Sequence, residues 1–323
     1  MNEELFSRKE TVKDIFFIIE DKLKKGLFKE SMEDFDRIMA MDFENADLYD
    51  NISCVKFWIN RLDNLEKLKE DYLEYCKFLD SSYKKFCKFV RDKNYKADLI
   101  SINAIHYFVY NRIIELLMSE DINGKEQLNL LSNAFIELED YSRGLKAYEY
   151  LNTIEPYNSN TLGFIAEINH KLGDEKKAKM YIREALFYEP LNIEFERITI
   201  DAVREIRDII IKRGIHNNSR EEIISWMSAY GELMNILDIK KELSREEEIE
   251  LRKNISRLEA DYRKFKLRDK VAPKLLSSYA FLTTCLIMRH SGSDMEEIEI
   301  WGRKMANIDK DLLQYYIKIL NKR

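Results

Sequence analysis

Apolar positions recur at helical spacing along nearly the whole chain. Leu128, Leu131 and Phe135 stand three and four residues apart, which places them on one face of a helix with about 3.6 residues per turn. Gly144, Tyr148 and Leu151 mark a second stripe, closed by Pro156, and the same offsets return 34 residues later as Leu162 and Ile165, then Ala178, Ile182 and Ala185, closed by Pro190. Each proline ends its helix because it lacks an N–H and clashes with the preceding turn. Between the paired stripes lie "LEDYSRG" and "KLGDEKKA"; in the latter Gly173 supplies the left-handed stop of one helix and Asp174 the cap of the next. The pattern predicts helical hairpins over 125–158 and 159–192.

The same register is fainter nearer the N-terminus. From Val12 it places Gly26, Phe28, Ser31, Phe35 and Ile38 at matching offsets, with Phe43 in the proline's position; from Ala46 it offers Tyr49, Ile52, Ser53 and Leu65. Degenerate units are expected over 12–79. The 45 residues of 80–124 exceed one period by eleven, close to three helical turns, so longer helices absorb them. Leu65, Leu68, Tyr72, Tyr75, Leu79, Phe86 and Phe89 predict one long helix there.

Beyond residue 192 the period fades. "SREE" at Ser219, "SREE" at Ser244 and "SDME" at Ser293 each fit a capping box, so helices start at those serines. Ile223, Met227, Tyr230, Met234 and Leu237 form one seam, and Leu251, Ile255, Leu258, Tyr262 and Phe265 another. An antiparallel hairpin over 219–270 is expected, with arms on the order of 35 Å. Trp226, Leu233 and Ile236 give its first arm a second buried face. After Pro273, an apolar helix from Lys274 to His290 is expected to cap the stack, followed by helices from Ser293 and Asp309.

Taken with the closing prolines, these positions resemble the tetratricopeptide repeat (TPR) family. That family sets a small residue where the second helix packs on the first, a large apolar residue four on, a small one three further and proline five after that. Ala178, Ile182, Ala185 and Pro190 fit; Gly144, Tyr148, Leu151 and Pro156 fit with Leu151 in place of alanine. The resemblance spans about 12–192 and is specific over 125–192. It implies an all-α fold, a TPR-like α-solenoid of helical hairpins over 1–192, followed by a C-terminal helical hairpin or bundle over 193–323.

Composition agrees with helix: nine glycines and three prolines in 323 residues leave little for turns and strands, and 45% hydrophobic residues supply a core despite 35% charged ones. The net charge of −6 disfavours a general nucleic-acid binder; the stretch from Arg263 to Lys270 is a local basic exception. "MNEELFSRKE" has no leader pattern, and the longest apolar run, "YAFLTTCLIM" from Tyr279, is ten residues, so no membrane span and a cytoplasmic location are expected. The abundance of Lys, Ile, Asn, Tyr and Phe suits an AT-rich bacterial genome. Cys54, Cys76, Cys87 and Cys285 lack metal or redox spacing and read as buried thiols.

No phosphate loop, nucleophile elbow or H-E-x-x-H pair occurs, "DINGKE" from Asp121 has calcium-loop residues at the wrong offsets, and His106, His170, His216 and His290 stand apart. Neither enzymatic activity nor a cofactor or metal is expected. The TPR resemblance implies a concave face lined by first helices: Asn129, Asn133, Ile136 and Glu137 in one unit, Asn160, Glu167, His170 and Lys171 in the next, with Phe57 and Trp58 among the lining residues of the weaker units. Asparagine amides can pair with an extended peptide backbone, and exposed aromatics can anchor a helix. Each also has a plainer reading, as solvated surface for the polar residues and as core for the aromatics. The expected function is a scaffold or adaptor binding a protein or peptide, with self-association through the 219–270 hairpin. The alternative is a structural subunit of a bacterial envelope or motility assembly. Asp47, Asp50, Glu126 and Glu167 make such a groove acidic, which excludes the carboxylate clamp used by family members that bind chaperone C-termini.

Overall fold

The computed structural model describes residues 11–120, 122, 124–214, 219–237, 243–289 and 295–320. Among the described residues every regular element is a helix and none is a strand. The chain divides into two compact units, Met1–Ala147 and Tyr148–Arg323, and not at the expected boundary after residue 192. The division falls within α8 (Tyr141–Ile154).

The first unit contains α1 (Val12–Lys24), α2 (Phe28–Met41), α3 (Leu48–Ile59), α4 (Leu62–Lys67), α5 (Tyr72–Asp92), α6 (Ile100–Met118) and α7 (Lys125–Glu137). Thr11 and Asp14 form a reciprocal capping box at the start of α1. Its end is set by Gly26, at φ +77°, a conformation that glycine reaches without strain. The turn brings Gly26 so close to α6 that a β-carbon there would stand 2.5 Å from the Phe108 ring. The single long helix expected from Leu65 to Phe89 is instead two: α4 is six residues long, and Asp71 starts α5 afresh by accepting the Glu74 N–H at 3.1 Å.

Helix α6 is the hub of this unit, packing on α1, α3, α5 and α7. Ala104, Ile105, Val109, Ile113 and Leu117 are buried on it, and Tyr110 and Ile114 carry the buried surface farther round its circumference. A helix apolar nearly all round must be enclosed by neighbours. Its first turn is tied to α3 where the Ser101 N–H donates to Asn51 Oδ1 at 2.9 Å, satisfying one of the donors a helix start leaves free.

The second unit contains α9 (Ser159–Lys171), α10 (Glu175–Tyr188), two 3₁₀ turns (Pro190–Asn192 and Phe195–Arg197), α11 (Asp201–Arg213), α12 (Arg220–Leu233), α13 (Arg245–Tyr262), α14 (Arg268–Arg289), α15 (Met295–Ala306) and α16 (Lys310–Leu320). Helices α9 and α10 form a tight hairpin. Gly173 turns it at φ +81°, Asp174 caps α10 by accepting the Lys177 N–H at 3.1 Å, and Ala178, Ile182 and Ala185 are wholly buried.

Helix α14 is the hub here. It packs on α12, α13 and α15, so the two arms expected to pair directly over 219–270 each lie on α14. Ser228 of α12 and Ser277 of α14 share a buried hydrogen bond at 2.7 Å, and Tyr279 of α14 donates to Glu259 of α13 at 2.7 Å. The arms, 14 and 18 residues, are about 21 and 27 Å long at about 1.5 Å per residue, shorter than expected. Helix α12 ends at Leu233 with Met234 as its C-cap, and Asn235 then turns left-handed at φ +57°, so the last two seam positions, Met234 and Leu237, lie beyond the helix. Phe265 lies beyond α13 and is 91% exposed. Pro273 sits inside α14, which begins five residues earlier, at Arg268. At 22 residues α14 is long and apolar enough to cross a membrane, beyond what the ten-residue run implied, but 67% of its apolar window is buried within the unit. Ser219 and Ser244 cap α12 and α13 as their motifs require; Ser293, His216 and His290 lie outside the described residues.

Candidate functional site

The expected groove residues of the second unit do hold an extended polypeptide, but it is the chain's own. After α10, residues 189–199 form a strap across α9, extended at Ile193 and Ile198. Asn160 clamps its backbone: the Glu194 N–H donates to Asn160 Oδ1 at 3.0 Å, and Asn160 Nδ2 donates to the Glu194 carboxylate at 3.2 Å. Glu167, 5% exposed, accepts from the Thr199 N–H at 2.6 Å and from its hydroxyl at 2.5 Å, while Lys171 Nζ donates to Thr199 Oγ1 at 2.9 Å. Ser159 Oγ accepts the Glu189 N–H at 2.8 Å, and the Arg197 guanidinium lies 4.5 Å over the Phe164 ring. Gly163 leaves room for the strap, since a β-carbon there would meet Ile193 at 3.3 Å. Asn160, Glu167 and Lys171 are therefore engaged within the chain, and His170 pairs with Glu175 at 2.6 Å.

In the first unit, Asn129 is exposed and accepts from Asn133 Nδ2 at 3.4 Å; Ile136 and Glu137 are half-buried. Glu137 faces His106 Nε2 at 3.3 Å. Behind them Tyr83, His106 and Tyr110 stack with ring centroids 5.1–5.4 Å apart, and Tyr83 bonds to Cys87. This cluster joins three helices and left no local motif to find. Burial pushes the Cys87 thiol up, as it does Cys54 and Cys285, each to about 11, and Cys76 to about 12. Such thiols stay protonated at neutral pH and are poor nucleophiles. Trp58 is fully buried, with Phe86, Phe28 and Phe108 at 6.0, 6.1 and 6.5 Å; it is core and cannot line a surface. Phe57 is half-buried between Phe86, Phe89 and the Arg61 guanidinium, which lies 3.4 Å over its ring.

A different concavity is open. A groove of about 1120 Å³ runs between the α1–α2 turn, α4, the start of α5 and one face of α6. It exists because α4 stops after six residues, uncovering the side of α6 that carries Tyr107, Asn111, Arg112 and Glu115. Leu65, Phe28 and Phe108 give it an apolar floor. Lys24, Lys25, Lys29, Lys69 and Arg112 alternate around it with Asp21, Glu30, Asp63, Glu66 and Glu115. The ion pairs among these are local and exposed: Lys25–Asp21 at 2.6 Å, Lys69–Glu66 at 2.5 Å, Arg112–Glu115 at 3.2 Å. Such pairs contribute little and exchange readily for a partner's charges. Tyr107 stands 42% exposed at the rim, with Lys24 Nζ 5.7 Å over its ring.

Among the described residues no group of three or more His, Cys, Asp or Glu side chains is arranged to hold a metal ion. No protein-family model, curated protein or solved structure matches this chain.

Proposed function

We propose that this chain is a protein-binding scaffold or adaptor, with TPR-like hairpins at 125–158 and 159–192, that grips a partner polypeptide in the first unit's groove. The observation that carries this reading is the groove itself: about 1120 Å³ of open concavity with an apolar floor and a rim bearing both signs of charge. Recognition surfaces combine a buried apolar centre with a polar rim, and energetic anchors are enriched in tyrosine and arginine, both of which line this groove as Tyr107 and Arg112. The α9 face is a weaker candidate because the strap fills it.

Site-specific photo-crosslinking tests the reading. A benzophenone side chain replacing Tyr107 should yield discrete polypeptide adducts in the native cell; one replacing Ile211, comparably exposed at 45% on the second unit, should not. The charge reversals Lys29→Glu and Arg112→Glu together should remove the Tyr107 adducts. Adducts that persist through both reversals, or that form equally from Ile211, would refute the groove as the binding site.

A further inference from the structure

Two exposed features of opposite charge remain outside that groove. The first is the corner joining α2 to α3. Met41, Phe43 and Tyr49 are 52, 65 and 46% exposed, and the Phe43 and Tyr49 rings meet edge to face at 6.0 Å. No lysine or arginine occurs from residue 38 to 55, whereas Asp42, Glu44, Asp47 and Asp50 surround the aromatic pair in sequence. Lys96 is bonded to Asp47 at 2.6 Å at this corner, and that hydrogen bond, with smaller contributions from the charges of Asp98 and Asp50, pushes its pKa up.

The second is the turn between α13 and α14. Phe265, 91% exposed, stands among Arg263, Lys264, Lys266, Arg268 and Lys270, with Asp269 the one acid. Lys264 pairs with Asp261 at 2.8 Å and the Arg268 guanidinium lies 5.0 Å from the Tyr262 ring centroid; Lys266 and Lys270 have no ion-pair partner among the described residues. At 91% exposure Phe265 buries almost nothing within its own fold, and its neighbours in sequence on both sides are cationic.

We infer that the protein self-associates head to tail, the 263–270 turn of one copy docking on the 41–50 corner of a second. Phe265 adds a third aromatic face to the exposed Phe43–Tyr49 pair, and the lysines and arginines meet the four carboxylates, with Lys266 and Lys270 able to lie over the aromatic rings. Charge complementarity sets the register and excludes the like-charged pairings, corner to corner and turn to turn. The interface is heterologous: each copy carries one of each surface, so association propagates into a ring or a filament.

Analytical ultracentrifugation of the full chain from about 5 to about 500 µM tests this. At low salt the weight-average mass should climb at least about twofold above the 38.7 kDa monomer; at about 0.5 M salt, where screening is short-ranged, it should fall back. Phe265→Ser alone, and Phe43→Ser with Tyr49→Ser, should each leave a monomer with the wild-type helical circular dichroism. Mixed in equal amounts, those two variants retain one intact turn and one intact corner, and should form a capped dimer that goes no further. A wild-type chain that stays monomeric throughout, variants that associate as before, or a mixture that stays monomeric would each overturn the inference. So would salt-sensitive binding of phosphatidylserine vesicles or RNA that Phe265→Ser abolishes in a wild type that does not self-associate, since the turn would then serve a different class of partner. Tyr107 crosslinking reads the groove independently, so either proposal can fail alone.

Discussion

Removing the Glu167 carboxylate should release the strap without unfolding the second unit. Glu167 accepts two hydrogen bonds from Thr199, at 2.6 and 2.5 Å, and lies 3.4 Å from Lys171. Hydrogen bonds to a charged group contribute about 1.5–3 kcal/mol each, so the pair could supply up to ~6 kcal/mol. Two effects reduce that figure. Burying the carboxylate costs several kcal/mol that Glu167→Ala recovers, and Thr199 is itself exposed, so water can solvate the N–H that loses its acceptor. A net loss of about 2 kcal/mol is expected, or about 30-fold in the opening equilibrium. Amide hydrogen exchange reads this residue by residue, because the Thr199 N–H is held by the Glu167 side chain. In Glu167→Ala its exchange should accelerate about 30-fold while the amides of α14 keep their protection. Glu167→Gln retains an uncharged acceptor and should fall between. If Thr199 exchanges at the wild-type rate in Glu167→Ala, the clamp does not hold the strap. If α14 loses protection in parallel, Glu167 supports the whole unit and local release is the wrong description.

Two further outcomes can be checked by unfolding. Gly26→Ala places a side chain at φ +77° with its β-carbon 2.5 Å from Phe108 Cε2; the left-handed backbone costs about 1–2 kcal/mol before the ring is displaced, so the urea midpoint of the first unit should fall by at least that equivalent, and an unchanged midpoint would refute the turn geometry. In the second unit Arg289, with Arg252, holds the Glu248 carboxyl below the usual range, and Arg252 does the same for Glu297. Carboxyls with folded pKa values below their unfolded ones lend stability that is complete above the unfolded value and is lost as pH falls through the folded one. Thermal stability should therefore decline as pH drops below about 4.5. Glu248→Gln should lower it at neutral pH and flatten that decline; an equally steep acid limb in the variant would show that this network does not set it.

Local signals in the sequence are the ones the structure realises most directly. Gly173 and Asp174 turn α9 into α10, serines at 219 and 244 cap the helices they precede, and the Ala178, Ile182 and Ala185 stripe is buried in full. Each of these depends on a few neighbouring residues and a backbone constraint. The architecture of the units depends on α6 and α14, whose apolar residues spread around the helix. A periodic stripe says which face is buried; a helix apolar on most sides says only that it is enclosed, and gives no direction to its neighbours. For that reason α14 reads in sequence as a cap on an open end and lies in the structure between α12 and α13. The interruptions were hidden for a different reason: α4 stops and α5 restarts at Asp71, and Asn235 turns left-handed after α12, without the glycine or proline that usually marks such points.

The α9 face separates what a sequence can say about a surface from what it cannot. Asn160, Glu167 and Lys171 are expected to line a groove, Asn160 by pairing with an extended backbone; Asn160 and Glu167 do accept the backbone N–H groups of Glu194 and Thr199, and Lys171 donates to the Thr199 hydroxyl. The chemistry of a face follows from its own residues. Its occupant follows from the competition among every segment able to reach it, and a strap that begins immediately after α10 is tethered beside α9 at high effective concentration. A free peptide must surpass that advantage before it binds. A covalently attached occupant leaves only a run of ordinary residues such as "LNIEFERIT", whose Ile193 and Ile198 pack near Gly163, and no periodic pattern distinguishes such a run from a connecting loop. Among the described residues that line the groove beside α4 there is no such tethered competitor, and that difference is why we propose the groove, in preference to the α9 face, as the partner's site.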